Sequence, residues 1–396
     1  MKKLMILGAG MLQDFVIEKA AAMGVHALAL DMNPDSVGFA HATEHRVVNI
    51  VDRDACLACA REEKIDGVLT AATDYGVLAA SHVANNLNLP GISPEAAMTV
   101  KNKFLTREKT AHVYARPIQF FELDSMDKVH ALEGEIRFPA MVKPCDGSGS
   151  KGAGRTDNFD QLVNQCALAF ESSLSGRIII ETFLDGEEYG VESFVYNGEV
   201  HVLAVMKKYM TQPPYYAELG HSIPCGLDAE VEARIRDTAK RCIEALGVNF
   251  GCVNMDLLLT EGNYPYIVDI GARMGGNLIG SHIIPEGTGI DYMGNMIRAY
   301  LGEEADFSPR GGRVVSTALL ALTPGKIAAL PDFDELRRRE NVIDIVFNKQ
   351  IGDEIRFYKN NLDGCGYVVV TGESEEKAHE LAFALRDEID KRIIRE

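Results

Sequence analysis

Residues 253–273 read Val-Asn-Met-Asp-Leu-Leu-Leu-Thr-Glu-Gly-Asn-Tyr-Pro-Tyr-Ile-Val-Asp-Ile-Gly-Ala-Arg. Both halves of this stretch are apolar and rich in strand-forming residues, and Gly262-Asn263 between them is typical of a two-residue hairpin turn. A turn at that point places Asp256 directly opposite Asp269. The stretch therefore predicts a β-hairpin that carries two facing carboxylates.

Facing carboxylates need a reason, because like charges opposite each other on paired strands are unfavourable. Two hard oxygen ligands side by side suit a Mg²⁺ ion that also carries substrate phosphates. The alternative is a hairpin with two solvent-exposed acids, but the apolar neighbours disfavour a solvated edge. We therefore expect Asp256 and Asp269 to form a metal site.

The composition is that of a globular protein with two or three domains. The 396 residues are 46% apolar and 25% charged, with a net charge of −18. The negative charge argues against a nucleic-acid partner. No apolar run approaches the roughly 20 residues that span a bilayer, so no membrane partner is expected. The N-terminal apolar run ends at Gly8, which favours a strand over a secretory signal.

The cysteines favour a reducing compartment, and we expect the protein in the cytoplasm. Eight cysteines are scattered along the chain, and Cys56 and Cys59 alone have two-residue spacing. A zinc or redox pair there is one alternative, and ordinary helix cysteines are the other.

Residues 1–97 alternate strands and helices. Residues 4–7, 27–31, 47–50 and 67–70 have strand patterns, and residues 12–23 have a helix pattern. This alternation predicts a parallel sheet with helices on both faces.

Gly8-Ala-Gly10 follows the first strand, where a dinucleotide-binding fingerprint would begin. Its third glycine is replaced by Gln13, although Asp31 ends the second strand as a ribose-binding acid would. An NAD site is one interpretation of this partial match. The other is that the glycines only permit a tight turn.

A second unit begins near residue 98 with a basic, helical stretch at 101–109. A strand at 138–143 then delivers Lys143 to a loop rich in glycine and serine, residues 147–154. Such a loop lets the backbone approach phosphates, although it is not a Walker A loop. Lys143 is expected to reach triphosphate oxygens, and an exposed lysine beside a surface loop is the alternative. An apolar strand at 177–181 follows, and then an acidic turn with Glu188.

Taken in order, these parts resemble the ATP-grasp superfamily, in its carboxylate–amine ligase type. The order is Lys103, Lys143 with its loop, Glu181 with Glu188, and the hairpin that ends at Arg273. The resemblance implies an α/β fold, α+β in part: a biotin-carboxylase-like parallel domain over 1–97, an ATP-grasp domain over 98–300, and a C-terminal α+β segment over 301–396. Within the ATP-grasp domain, 98–185 would include the phosphate lid and 186–300 the metal and substrate half.

The resemblance also implies residue roles. Lys103 and Lys143 would contact ATP phosphates, residues 148–152 would form the lid, residues 181–184 would line the adenine site, and Glu188 would hold the ribose. The full set of implied ATP contacts is Lys103, Lys143, Ser148, Gly149, Ser150, Gly152, Glu181, Thr182, Phe183, Leu184 and Glu188. The implied metal is Mg²⁺, with Mn²⁺ as a substitute, on Asp256 and Asp269. The implied catalytic set is Arg273, Lys143, His221 and Glu218.

One departure from the family pattern concerns the metal. The usual Glu-x-Asn-x-Arg is Asp269-Ile-Gly271-Ala-Arg273 in this chain, so a ligand asparagine is missing. Water could replace it. The alternatives are a weak second metal site or a protein that has lost catalysis.

Glu218-Leu-Gly-His221 is similar to the substrate loop of L-amino-acid ligases. By that resemblance Glu218 would hold a substrate ammonium group, and His221 would contact the carboxylate or the acyl phosphate. A purely structural histidine is the alternative. Thr323-Pro-Gly-Lys326 also recurs in the C-terminal part of such ligases.

The expected function is ATP- and Mg²⁺-dependent joining of a carboxylate, activated as an acyl phosphate, to an amine. Small-molecule substrates are the expected partners, and a homodimer is left open. The alternatives are a phosphoribosylglycinamide synthetase or carbamoyl-phosphate-synthase-like enzyme, an NAD(P)-dependent oxidoreductase, and a non-catalytic ATP-binding module.

Overall fold

A computed structural model describes residues 1–147, 151–212 and 215–396. Its N-terminal unit contains a parallel four-stranded sheet in the order β3-β2-β1-β4. The strands are β1 Lys3–Leu7, β2 His26–Asp31, β3 Glu44–Val47 and β4 Gly67–Thr70. The helices are α1 Met11–Ala22, α2 Arg53–Glu63 and α3 Val77–Leu87. The predicted parallel sheet is confirmed, but the third strand begins three residues earlier than expected.

Two helices follow where one basic helix was expected. Helix α4 spans Pro94–Lys101 and α5 spans Lys103–Thr110. Asn102 separates them, because its side chain accepts hydrogen bonds from the backbone N–H groups of Phe104 and Leu105 and so begins α5. Lys103 consequently lies in the first turn of its own helix.

The next unit is an antiparallel sheet in the order β5-β8-β6-β7. Its strands are β5 Phe120–Leu123, β6 Ala140–Pro144, β7 Gly154–Thr156 and β8 Ile178–Thr182. Its helices are α6 Met126–His130 and α7 Phe159–Ser172. In the antiparallel pairing of β6 with β8, Lys143 lies opposite Ile179 and Glu181 lies opposite Met141, so Lys143 and Glu181 are diagonal neighbours.

A large antiparallel sheet follows, with the strand order β13-β12-β9-β10-β11-β14-β18-β16. The remaining strands are β9 Gly186–Tyr196, β10 Glu199–Met210, β11 Glu218–Ile223, β12 Gly251–Thr260, β13 Tyr264–Gly271, β14 Val315–Leu319, β15 Gly325–Ala329, β16 Val342–Phe347, β17 Glu354–Ile355, β18 Gly366–Thr371 and β19 Ile394–Arg395. The remaining helices are α8 Ala229–Ala245, α9 Ile284–Thr288, α10 Tyr292–Tyr300, α11 Phe333–Arg337 and α12 Glu375–Arg392. After residue 301, β14, β18 and β16 extend the central sheet, and β17, β15 and β19 form a separate three-stranded sheet.

The hairpin of β12 and β13 places Asp256 opposite Asp269, as predicted. The route differs from the prediction. The turn has three residues, because Thr260 pairs with Tyr264, and Val268 is then the extra residue of a bulge. The bulge shifts the register by one residue and restores the facing aspartates.

The central sheet has one face that packs against α8 and a second face, here called the polar face, that carries apolar core residues together with the charged residues of the cleft. Alternate residues of β9, such as Val191 and Val195, pack with α8 in one core. The residues between them, including Glu188 and Glu192, point to the other face, toward the N-terminal unit. No helix in the described residues combines the length and the apolar character needed to cross a membrane.

Candidate active site

The polar face of the sheet borders an open cleft of about 480 Å³. Asp74 and Val77 line it from the N-terminal unit, and Lys103 lines it from α5. Asn254, Asp256, Asp269, Gly271 and Arg273 line it from the hairpin. The structure therefore brings both predicted metal ligands together with Lys103, a predicted phosphate contact, and Arg273, a predicted catalytic residue.

Each facing aspartate is paired with a lysine. Lys103 Nζ forms an ion pair with Asp269, and Lys208 Nζ lies 2.6 Å from Asp256 Oδ1. Burial raises the pKa of Asp269, but attraction to Lys103 outweighs burial and lowers it below its usual range. The Asp269 carboxylate is therefore ionised at neutral pH.

These two carboxylates fit a magnesium ion that keeps water and phosphate oxygens as its other ligands. They are hard oxygen donors, they face each other, and they line a cleft that admits a ligand. In the part of the chain that the structure describes, three metal-ligating side chains come together at Asp14, Glu18 and His41, and not at the hairpin. The hairpin would therefore supply two ligands to a metal ion, and phosphate oxygens would supply others.

Lys143 lines a second, smaller pocket together with Lys103 and Glu181. Lys143 Nζ lies 2.8 Å from Glu181 Oε1, and Arg107 Nε donates to Glu181 Oε2 at 2.7 Å. Burial raises the pKa of Glu181, but Arg107 and Lys143 outweigh it and lower the pKa to about 2. Sequence reasoning did not identify Arg107, because a basic residue in a basic helix gives no signal of its buried partner.

The other predicted ATP contacts border the same region. The backbone N–H groups of Thr182 and Phe183 donate to Gln119 O and Pro139 O, at 2.9 and 3.1 Å. Gly152, the last residue of the predicted lid, has a positive φ of 73°. Ser148, Gly149 and Ser150 lie outside the described residues, so the lid assignment there stays a prediction. Leu184 is partly buried between β8 and β9.

Lys208 is the main residue that sequence reasoning did not identify. Its side chain is 1% exposed, and Nζ lies 2.6 Å from Asp256, 2.8 Å from Glu218 and 3.3 Å from Glu188. Burial lowers the pKa of Lys208, but the three carboxylates raise it well above its ordinary value. Its position in β10 opposite Glu188 could have suggested this pairing once the register was known.

Glu218 and His221 lie close together, as the substrate-loop resemblance implies, with 3.6 Å between His221 Nε2 and Glu218 Oε1. Glu218 also accepts hydrogen bonds from Asn277 and, at 2.7 Å, from Asn361. Its four lone-pair positions thus face Lys208, His221 and two amides. An incoming ammonium group would have to displace one of these donors.

Arg273 is oriented by two side chains. Its Nε donates to Asp74 Oδ1 and its Nη1 donates to Asn254 Oδ1, both at 3.1 Å. A β-carbon at Gly271 would lie 2.8 Å from Asp74 Oδ1 and 3.1 Å from Arg273 Cζ. The missing side chain at Gly271 therefore makes room for the ion pair between Asp74 and Arg273.

Glu192 lies behind Asn254 with no exposed surface. It accepts hydrogen bonds from Asn254 Nδ2 at 3.0 Å, from Gly275 N–H at 3.1 Å and from the Tyr292 hydroxyl. Burial nevertheless raises the pKa of Glu192 to about 7. Because Asn254 contacts both Glu192 and Arg273, this buried acid supports the orientation of Arg273.

The glycine turn of the N-terminal unit does not favour the NAD alternative. Asp31 already accepts hydrogen bonds from the backbone N–H groups of Ala9 and Asn33, both at 2.9 Å. Gln13 is buried over the turn, and its amide donates to Ala71 O at 2.6 Å. The acid that suggested a ribose site thus has backbone partners of its own, and the side chain of Gln13 covers the glycine turn.

Cys56 and Cys59 lie on α2 as separate thiols, and burial raises the pKa of Cys56 to about 12. A buried thiol of high pKa is a poor metal ligand or redox group. Ordinary helix cysteines therefore explain this pair.

Comparison with known proteins agrees with the geometry. Residues 100–277 match the ATP-grasp domain, and residues 318–393 match the L-amino acid ligase C-terminal domain 2. This chain carries an ATP-grasp domain. Its homologues include ATP-dependent ligases that form C–N bonds.

Solved structures share the fold over the whole chain. The L-amino acid ligase from Bacillus licheniformis has a TM-score of 0.84 at 22% identity and covers 100% of this chain and 99% of its own. The phosphoribosylglycinamide synthetase from Anaerococcus prevotii has a TM-score of 0.81 at 21% identity, with the same coverages of 100% and 99%. The biotin-carboxylase-like fold class is thus confirmed.

Human carnosine synthase 1 is similar to part of this chain. It is 27% identical over 311 residues, which cover 69% of this chain. This chain spans 37% of the length of that relative.

Proposed function

We propose that this ATP-grasp protein is an ATP- and Mg²⁺-dependent ligase that joins a carboxylate to an amine, with an amino acid as one substrate. ATP would phosphorylate the carboxylate, and ADP would leave. The amine would then attack the acyl phosphate carbon, and phosphate would depart as the amide bond forms.

The observation that carries the proposal is the shared cleft of the hairpin. Asp256, Asp269, Lys103 and Arg273 line one space, so metal-binding oxygens and phosphate-binding cations face the same volume. A pocket of this kind suits phosphoryl transfer, where positioning and charge neutralisation do most of the work. The C-terminal match to L-amino acid ligases supports an amino acid as substrate.

The proposed roles follow the geometry. Mg²⁺ bound at Asp256 and Asp269 would neutralise phosphate oxygens. Lys103 and Lys143 would exchange their present carboxylate partners for phosphate oxygens, and Arg273 would stabilise charge on the transferring phosphoryl group. These assignments remain predictions.

Substrate contacts are proposed on the other side of the cleft. Lys208 contacts both Glu218 and Asp256, and His221 lies beside Glu218. An amino-acid substrate held by Glu218 and His221 would therefore be close to the phosphates. A cytoplasmic location stays a prediction that the free cysteines support.

The test is ADP release from Mg-ATP with amino acids and small carboxylates, offered singly and in pairs, followed by mass analysis. A ligase gives ADP only with particular pairs, together with a product lighter than their sum by one water. Phosphoribosylamine with glycine tests the synthetase alternative. ATP binding without ADP release across the panel would favour a non-catalytic module and contradict the proposal.

A further inference from the structure

We propose that Lys208 couples the metal–nucleotide site to the substrate site, because its single ammonium group contacts a carboxylate from each. The inference rests on the proposed function, which assigns Asp256 to the metal, Glu188 to the ribose and Glu218 to the substrate. Lys208 is a positioning residue in this account. It acts through the carboxylates that it holds.

The three carboxylates come from three different strands. Lys208 lies on β10, Glu188 on the neighbouring β9 and Glu218 on the neighbouring β11. Asp256 lies on β12, which is two strands away from β10. One side chain on the middle strand thus joins four adjacent strands at the polar face.

The contact with Asp256 crosses β9 next to a glycine. Gly190 of β9 pairs with Asp256 on one side and with Met206 of β10 on the other. A β-carbon at Gly190 would lie 3.3 Å from Met206 Cε and 3.7 Å from His221 Cδ2, so the glycine leaves room for these two side chains. Lys208 Nζ crosses the same strand and lies 2.6 Å from Asp256 Oδ1.

The cluster has one positive charge and three carboxylates. A metal ion at Asp256 must therefore compete with Lys208 for the same carboxylate. The pull of Glu218 on Lys208, across 2.8 Å, weakens that competition. If the charge of Glu218 is removed, Lys208 pairs more tightly with Asp256, and the metal binds less well. Glu218 thus influences the metal through Lys208.

The coupling is reciprocal. A ligand cation that pairs with Glu218 displaces Lys208 toward Asp256, and a metal at Asp256 displaces Lys208 toward Glu218. Occupation of the substrate side therefore changes metal affinity.

A double-mutant cycle tests the inference. Mn²⁺ binding in the presence of ADP is measured by electron paramagnetic resonance for wild type, E218Q, K208M and K208M/E218Q. We expect E218Q to weaken Mn²⁺ binding about tenfold in the wild-type background. In the K208M background the same change should alter it by less than about twofold. K208M alone should tighten binding, because a competing cation is gone.

The matched control is Lys207→Met. Lys207 is the preceding residue, and its ammonium group lies 5.9 Å from the Tyr209 ring centroid, away from the cluster. It should leave Mn²⁺ affinity unchanged. If K208M alone does not fold, the double variant K208M/E218Q is compared with wild type. It removes one charge of each sign and so preserves the net charge of the cluster. In that case, Mn²⁺ binding by the double variant at least as tight as wild type supports the coupling.

Two results overturn the inference in different ways. If E218Q weakens Mn²⁺ binding by the same factor with and without Lys208, Glu218 acts on the metal directly and Lys208 carries no coupling. If wild type binds no Mn²⁺ with ADP, the metal assignment and the proposed function fail, and the coupling fails with them.

Discussion

Arg107 gives the clearest quantitative prediction. Its guanidinium and the ammonium of Lys143 both contact the buried carboxylate of Glu181. In the proposed function, ATP phosphates draw Lys143 away, and Arg107 alone then neutralises Glu181. Replacement of Arg107 by Met should therefore weaken nucleotide binding, although Arg107 need not touch the nucleotide.

The size of the effect follows from the charge of Glu181. Its pKa of about 2 lies about 2.5 units below the ordinary value of 4.5, which corresponds to ~3 kcal/mol of net stabilisation of the carboxylate. A buried pair that loses one partner typically costs about 3 to 5 kcal/mol. If the departure of Lys143 from Glu181 costs ~3 kcal/mol in the variant that lacks Arg107, Mg-ADP should bind to that variant about 100-fold more weakly.

Isothermal titration with Mg-ADP measures this effect, and thermal unfolding reports the fold. Lys109→Met is the matched control, because Lys109 is exposed on the same helix and should leave the affinity unchanged. Arg107→Met/Glu181→Gln removes the unpaired charge and should recover most of the affinity. A folded R107M protein that binds Mg-ADP within about threefold of wild type would refute the reasoning.

Three further predictions concern the hairpin and its support. Asp269→Asn should abolish ADP release, whereas the affinity for Mg-ADP should fall far less. Near-normal turnover would contradict the metal assignment. Gly271→Ala places a β-carbon 2.8 Å from Asp74 Oδ1, so kcat should fall at least about tenfold through displaced Arg273, and unchanged kcat would contradict this. The pKa of Glu192 is about 7 in the folded protein, above the unfolded value of 4.5, so its contribution to stability is complete below pH 4.5 and is lost as pH rises to 7. Glu192→Gln should therefore reduce, by ~3 kcal/mol, the change in the free energy of unfolding between pH 4.5 and 7.5, measured with urea. An unaltered pH dependence would be evidence against a protonated Glu192.

The sequence allowed the fold to be predicted where local patterns repeat. The alternation of short apolar strands and helices before residue 97 predicted the parallel sheet, because strand burial on both faces requires apolar runs. The facing pair of Asp256 and Asp269 was also predicted. The bulge at Val268 was not, since a single extra residue in an apolar strand leaves no compositional mark.

Contacts between distant strands could not be predicted. Lys208 and Asp256 are 48 residues apart and meet because β9 lies between β10 and β12. That order is a property of the whole sheet and is not encoded in either strand. The same holds for Asp74, which reaches Arg273 across 199 residues.

The measurement that tests the central claim most directly is the fate of carboxylate oxygen. Amino acids with ¹⁸O in the carboxyl group are incubated with Mg-ATP and hydroxylamine, which serves as a general amine, and the released phosphate is analysed by mass spectrometry. Activation through an acyl phosphate predicts one ¹⁸O atom in each phosphate released with ADP. Release of ADP together with unlabelled phosphate would contradict the account, because the carboxylate would not have been phosphorylated.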